Sequence, residues 1–279
     1  MTIACIIVLF KKKAAESETI QSLLNLEKSN RDLLKVILWD NSPSPLNAIE
    51  IELLKIRFPL FEYRNTPENI SLAKIYNNVI FENPKDDFLL LFDQDSYVTD
   101  GYFKEFLIAD KNNPNINLFV PLIHVGTSIV SPGDFFFFKG KYWKKERIGV
   151  VKSRHRLAIT SGMAIRMDFL LSKSFTGFDE RLSLYGIDTQ FMIHYQKNNE
   201  FFFVLAYDLN HKLSQYEDED VEIKVKRYIN HKYSLRIIMK SKTFFQRFIL
   251  EFVFFIKSFY LAIKNRNMNF FKQNEKPVD

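Results

Sequence analysis

The chain has 279 residues, enough for one large α/β domain with an appendage, and its 47% hydrophobic and 26% charged content is that of a folded protein. One cysteine, Cys5, excludes a disulfide framework and a Cys-based metal site, and points to a reducing compartment. The net charge of +6 is uneven: residues 221–279 hold 13 Lys and Arg against 4 Asp and Glu, while the remainder holds 26 against 29. A slightly acidic body with a basic, Phe-rich tail argues against nucleic acid as partner and for an anionic membrane surface.

The opening "IACIIVLF" (3–10) precedes "KKK", the reverse of a secretory signal, and reads as a first strand. An amphipathic helix is expected over 16–30, with Ile20, Leu23, Leu24 and Leu26 on its apolar side. A second strand over 34–40, a helix over 46–58, a helix over 70–81, a strand over 87–93 and a helix over 100–109 follow. Such alternation implies a mostly parallel sheet with crossover helices, whose ligands sit beyond the carboxyl ends of the strands. Residues 112–156, with "PGDFFFFKGKYWKK", read as a less regular insertion that could wall a pocket. Strand character returns at 157–167, helix at 187–198 and a last strand at 201–211, before a soft domain boundary near Gln215.

Chemistry concentrates in acids at strand ends. In "DFLLLFDQDSYV" an apolar strand runs into Asp93 and Asp95, one residue apart. Two carboxylates ~4 Å apart repel by roughly 4 kcal/mol at an effective dielectric of 20, so a counter-charge belongs there. Carboxylates suit Mg²⁺, which keeps one or two of them plus phosphate oxygens; a helix-capping turn is the plain alternative. Asp40, ending "LKVILWD", is either a turn-forming residue or an acceptor for a ring N–H of a ligand. Asp188 falls in the first turn of a helix, where the dipole favours an acid and a carboxylate would be held rigidly as a base. His211, closing "YDLNH", is a candidate third metal ligand or a plain surface residue.

Together "LWDNSP", "NISLAKIYNN", "LLLFDQDS", "ITSGMAIR", "GFDERLSLYGIDTQF" and "DLNHKLS" resemble the ordered motif series of family-two inverting nucleotide-sugar glycosyltransferases of the GT-A fold. The resemblance spans about Ile3 to Gln215, and "DQDS" looks like bacterial rhamnosyltransferases of O-antigen or capsule synthesis. It implies a GT-A domain over 1–215 and a helical extension over 216–279. By the same resemblance Asp40 would contact a pyrimidine base, Asp93 the ribose and metal, Asp95 the metal–diphosphate, and His211 the Mg²⁺ or Mn²⁺. Asp188 would be the catalytic base. The implied donor is dTDP-rhamnose, or else a UDP-sugar, and the implied acceptor a glycan or lipid-linked oligosaccharide at the inner face of the cytoplasmic membrane.

The tail "TFFQRFILEFVFFIKSFYLAIKNRN" (243–267) is interrupted by Arg247, Glu251 and Lys257, which disfavours a spanning helix and favours an interfacial one. Packing on the body or on a second copy is the alternative. Two rival functions remain at this level. A nucleotidyltransferase would want a Gly-rich phosphate loop that "LFKKKAAESE" lacks, and a non-enzymatic, basic-tailed interaction protein would leave the acids at 40, 93, 95 and 188 without a task.

Overall fold

The computed structural model describes residues 1–211 and 220–272, with His211 through its backbone; the boundary near Gln215 lies outside the described residues. Strands β1 (Ile3–Leu9), β2 (Leu34–Asp40), β3 (Leu60–Asn65) and β4 (Phe88–Asp93) form a parallel block in the spatial order β3-β2-β1-β4. Helices α1 (Glu18–Leu24), α2 (Lys28–Arg31), α3 (Ala48–Arg57) and α4 (Leu72–Glu82) connect them. Every residue of β1 is buried, as expected of a strand covered on both faces. Side-chain alternation then divides the core. Ala4, Ile6 and Val8 pack with Tyr76, Val79, Phe191 and Tyr195; Cys5, Ile7 and Leu9 pack with Ile20, Leu23, Phe103 and Phe106.

Local signals account for where the helices begin. Ser17, Asn47 and Ser71 each accept a hydrogen bond from the backbone N–H three residues on, satisfying a donor the helix cannot. The single helix expected over 16–30 is instead two short helices broken at Asn25–Glu27. The break lets Leu26 turn into the core, while Glu27 N and Asn30 Nδ2 both donate to Asp100 Oδ1 at 2.9 and 2.7 Å. Strand β3 has no counterpart among the expected elements. It is the edge strand, partly exposed, and its Glu62 and Arg64 interrupt any apolar run.

After β4 come β5 (Ser96–Tyr97), α5 (Asp100–Asn112), β6 (Leu118–Val125), β7 (Ser128–Phe136), β8 (Lys139–Trp143) and β9 (Gly149–Lys152). They are followed by β10 (Arg156–Leu157), β11 (Met163–Arg166), α6 (Met167–Leu171), α7 (Ile187–Asn198), β12 (Phe201–Asp208) and β13 (Asn210–His211). Residues 112–156 are therefore largely strand rather than irregular. β6 enters the main sheet beside β11, which runs antiparallel to β4, and β7 and β8 extend β6 as antiparallel ribbons. The sheet is mixed: parallel around β1, antiparallel beyond β4, with β12 returning parallel to β6. The strand expected over 157–167 shortens to β11, because residues 158–162 leave the extended path and turn at Ser161 and Gly162 before β11 enters between β6 and β4.

Two further helices, α8 (Val221–Ile238) and α9 (Phe244–Asn265), form an antiparallel hairpin. Tyr228 Oη donates to Phe254 O at 3.1 Å, Arg236 grips Glu251 with two bonds of 2.6 and 2.7 Å, and buried Lys232 donates to Phe270 O at 2.9 Å. Leu235, Ile238, Met239, Leu250 and Phe254 carry the hairpin onto Phe137, Phe138 and Ile193 of the body.

Candidate functional site

Asp40 and Asp93 end neighbouring-but-one strands at the same end of the sheet. β1 lies between β2 and β4, and the register sets Asp40 against Leu9 and Asp93 against Val8. Two strand spacings put their backbones about 10 Å apart. This is where the chain order reverses, since β2 lies on one side of β1 and β4 on the other, and crevices at such points receive ligands.

Alternation sends the two side chains to opposite faces. Asp40 is buried, and its carboxylate organises the loop that follows it. Oδ1 accepts from Ser42 N at 3.1 Å, and Oδ2 accepts from Leu46 N at 3.0 Å and from Tyr63 Oη at 2.8 Å. Burial, then the bond to Asp40, pushes the Tyr63 phenol pKa up, so Tyr63 stays a donor. Asn41 continues the brace, accepting from Thr66 Oγ1 at 2.7 Å and Ile70 N at 3.0 Å. Three of the roughly four acceptor positions of the Asp40 carboxylate are thus engaged within the protein.

Asp93 faces the other layer. Thr19 Oγ1 donates to its carbonyl, and its N–H donates to Ser161 Oγ at 3.3 Å. Ser161 also bonds Ser96 across 2.6 Å, and Ser96 N donates to Thr19 Oγ1 at 2.9 Å. The Asp93–Ser96 turn is therefore held from both sides. β13 pairs antiparallel with β5, placing the His211 backbone opposite Ser96, one residue beyond Asp95. The side chain of His211 is outside the described residues. Among the described residues no three His, Cys, Asp or Glu side chains gather as a metal set. Carboxylates such as those of Asp93 and Asp95 are the oxygen ligands that Mg²⁺ or Mn²⁺ accepts.

Behind this turn, Gly162 has φ +80, and an added Cβ would stand 2.7 Å from Pro121 Cγ and 2.9 Å from Leu209 Cδ2. Gly162→Ala combines a left-handed backbone with overpacking and is expected to lower stability by about 2–4 kcal/mol in urea unfolding.

Asp188 lies in the first turn of α7, whose N-cap Gly186 has φ +83. Its Oδ1 accepts from Thr189 N at 2.6 Å and Thr189 Oγ1 at 3.3 Å. Asp188 is half-buried, and desolvation raises its pKa, which the Thr189 bonds offset only in part. Buried Tyr76 lies within electrostatic reach of both Asp93 and Asp188, and hydrogen-bonds Thr160 beside Ser161.

The loop leading to Asp188 is pinned by α4. Asn77 Nδ2 donates to Phe178 O at 2.9 Å and Glu180 Oε1 at 3.0 Å, and Asn77 Oδ1 accepts from Phe178 N at 2.8 Å. Leu72 N donates to Ser183 O at 2.9 Å. Asp179 is taken by Arg181 through bonds of 2.8 and 2.5 Å, which lower its pKa and leave it unsuited to act as a base. Tyr76, Asn77, Thr160 and Ser161 received no role from sequence reasoning. They lie inside "NISLAKIYNN" and "ITSGMAIR", so their motifs were visible though their pairing was not.

No protein-family model and no curated protein matches the chain. Solved structures do. The structure of S. aureus TarS 1–349 superposes with a TM-score of 0.58 at 12% identity, covering 87% of this chain and 74% of that one. Its complex with UDP-GlcNAc gives 0.58 at 15% identity, covering 85% and 67%. GalNAc-T7 with UDP, GalNAc and Mn²⁺ gives 0.59 at 12% identity, covering 85% of this chain and 48% of that one. The chain has the mixed α/β, GT-A-type fold of these structures.

Proposed function

We propose that the chain is an inverting glycosyltransferase that moves a sugar from a nucleotide-diphosphate donor to a glycan hydroxyl. The observation that carries this reading is the desolvated carboxylate of Asp188, at the start of the helix whose Ile187 and Phe191 pack in the same core layer as Val8 and Tyr76, with Tyr76 within electrostatic reach of both Asp188 and Asp93. A raised carboxylate pKa makes a stronger base for a hydroxyl proton, and the Thr189 bonds hold the group in one orientation. As the acceptor oxygen attacks the anomeric carbon, Asp188 takes its proton, and the bond to the nucleotide diphosphate breaks on the opposite face. One displacement inverts the anomeric centre. Asp95 and His211, with Asp93 beside them, would hold Mg²⁺ or Mn²⁺, whose charge would offset that developing on the diphosphate. Asp40, with its remaining acceptor position, would meet the N3–H of a pyrimidine base.

The motif resemblance supports dTDP-rhamnose as donor and cell-surface polysaccharide as product. UDP and UDP-GlcNAc in complexes of TarS, and UDP in that of GalNAc-T7, support a UDP-sugar as the second reading. A panel of dTDP- and UDP-sugars incubated with the full chain and Mn²⁺ or Mg²⁺ tests both. Release of dTDP or UDP from one donor, above the rate without protein, is expected. A panel in which no donor binds or is hydrolysed would remove the enzyme reading.

A further inference from the structure

The hairpin leaves a large apolar surface uncovered. Phe245, Phe248, Phe252, Phe255, Phe259 and Ile263 follow one another at three- and four-residue steps along α9, each between 56% and 68% exposed. Residues so spaced share one face. The opposite face, Leu250, Phe254, Ser258 and Ala262, is buried. Arg247, Glu251, Lys257 and Lys264, the charges within α9, fall off the aromatic arc by the same 100° rotation per residue. Glu251 is turned inward to Arg236, and Lys257 lies over the Tyr228 ring at 5.4 Å. What interrupts the apolar run in sequence is thus removed from that face in space. Single exposed apolar residues need no explanation, but a contiguous aromatic stripe does.

No described helix is long and apolar enough to cross a membrane. We propose that the outer face of α9 lies in the headgroup region of an anionic lipid bilayer, parallel to its plane. A helix of 22 residues offers about 33 Å of such contact. The charge complements it: residues 221–272 carry 12 Lys and Arg against 2 Asp and Glu. Exposed Lys264 and Arg266 close the C-terminal end of the stripe, and Lys240 and Lys242 precede it. Phe on one face with Lys and Arg around it is the pattern of interfacial helices. A second copy would bring two such cationic hairpins together, so the lipid surface is the occupant that the charge favours.

The docked plane reaches the candidate site through α8. A Cβ on Gly186 would stand 3.0 Å from Ser234 Cβ and 3.2 Å from Ile238 Cδ1, so α8 abuts the N-cap of the helix bearing Asp188. Combined with the proposed function, on which this consequence alone rests, the acceptor is an alcohol anchored in the same membrane.

Co-sedimentation of the full chain with phosphatidylcholine vesicles, with and without phosphatidylglycerol, tests the docking. The chain should pellet with the anionic vesicles. A Phe252→Ser, Phe255→Ser, Phe259→Ser variant should bind them at least about tenfold more weakly, and so should the parent at high salt. The replaced rings are exposed, so the variant should keep its melting temperature and its hydrolysis of a soluble nucleotide sugar. Equal pelleting of parent and variant would overturn the proposal, as would a parent that ignores vesicles and elutes as a dimer the variant cannot form. Loss of donor hydrolysis in the parent would count against the enzyme reading and leave the vesicle result standing.

Discussion

Asp188→Asn should lose sugar transfer by about 10²–10⁴-fold in kcat, the usual contribution of a positioned base, while the donor KM stays near that of the parent. The same change should raise the melting temperature at neutral pH. The sign follows from the desolvation of Asp188, which raises its folded pKa above the unfolded one. The folded state then holds the ionised form less well than the unfolded chain does, so ionisation costs stability at every pH above the unfolded value. Asparagine keeps the shape without that cost. Its advantage should fade as pH falls through the raised folded-state pKa and be gone below the ordinary aspartate value. Transfer by the parent needs ionised Asp188, so kcat/KM should rise with pH through a midpoint above that range. Calorimetric melting at several pH values, with a pH–rate profile, checks both limbs. A variant that transfers at the parental rate would remove Asp188 from the base role.

Asp95→Ala should weaken metal-dependent nucleotide binding by at least about a hundredfold, since loss of even a supporting group at a metal site costs 10–100-fold. Titration calorimetry of UDP and dTDP with Mn²⁺ reads this directly. Metal-independent binding should change little, because the loop ordered by Asp40, Tyr63 and Asn41 stands on β2 and does not use Asp95. Equal binding by parent and variant with Mn²⁺ would show that the acid after Gln94 faces no cation. Thr19, Ser96 and Ser161 brace this turn and are untouched by the change, and a melting curve of the variant checks that it keeps its fold.

Much of this was legible before any coordinates. Apolar runs named β1, β2 and β4, and helical patterns marked α3, α4, α5 and α7, because local propensity and burial agree there. The edge strand β3 was not legible, since a half-exposed strand carrying Glu62 and Arg64 has no continuous apolar run. Residues 118–152 misled for a related reason: the turn-rich, aromatic sequence folds as ribbons of β7 and β8 on β6, and the two strands that tie it into the sheet, β6 and β9, both pair with β12, far along the chain.

The candidate site divides in the same way. Sequence alone set acids at the ends of β2 and β4 and at the start of α7, since these positions follow from where apolar runs stop and helices begin. Only the tertiary structure decided that Asp40 turns to one face and Asp93 to the other, that Tyr76 lies near Asp93 and Asp188 together, and that the aromatic face of α9 is left open. Those outcomes depend on strand register and on contacts between segments far apart in the chain, where hydrogen-bond pairing rather than local composition sets which side chains meet.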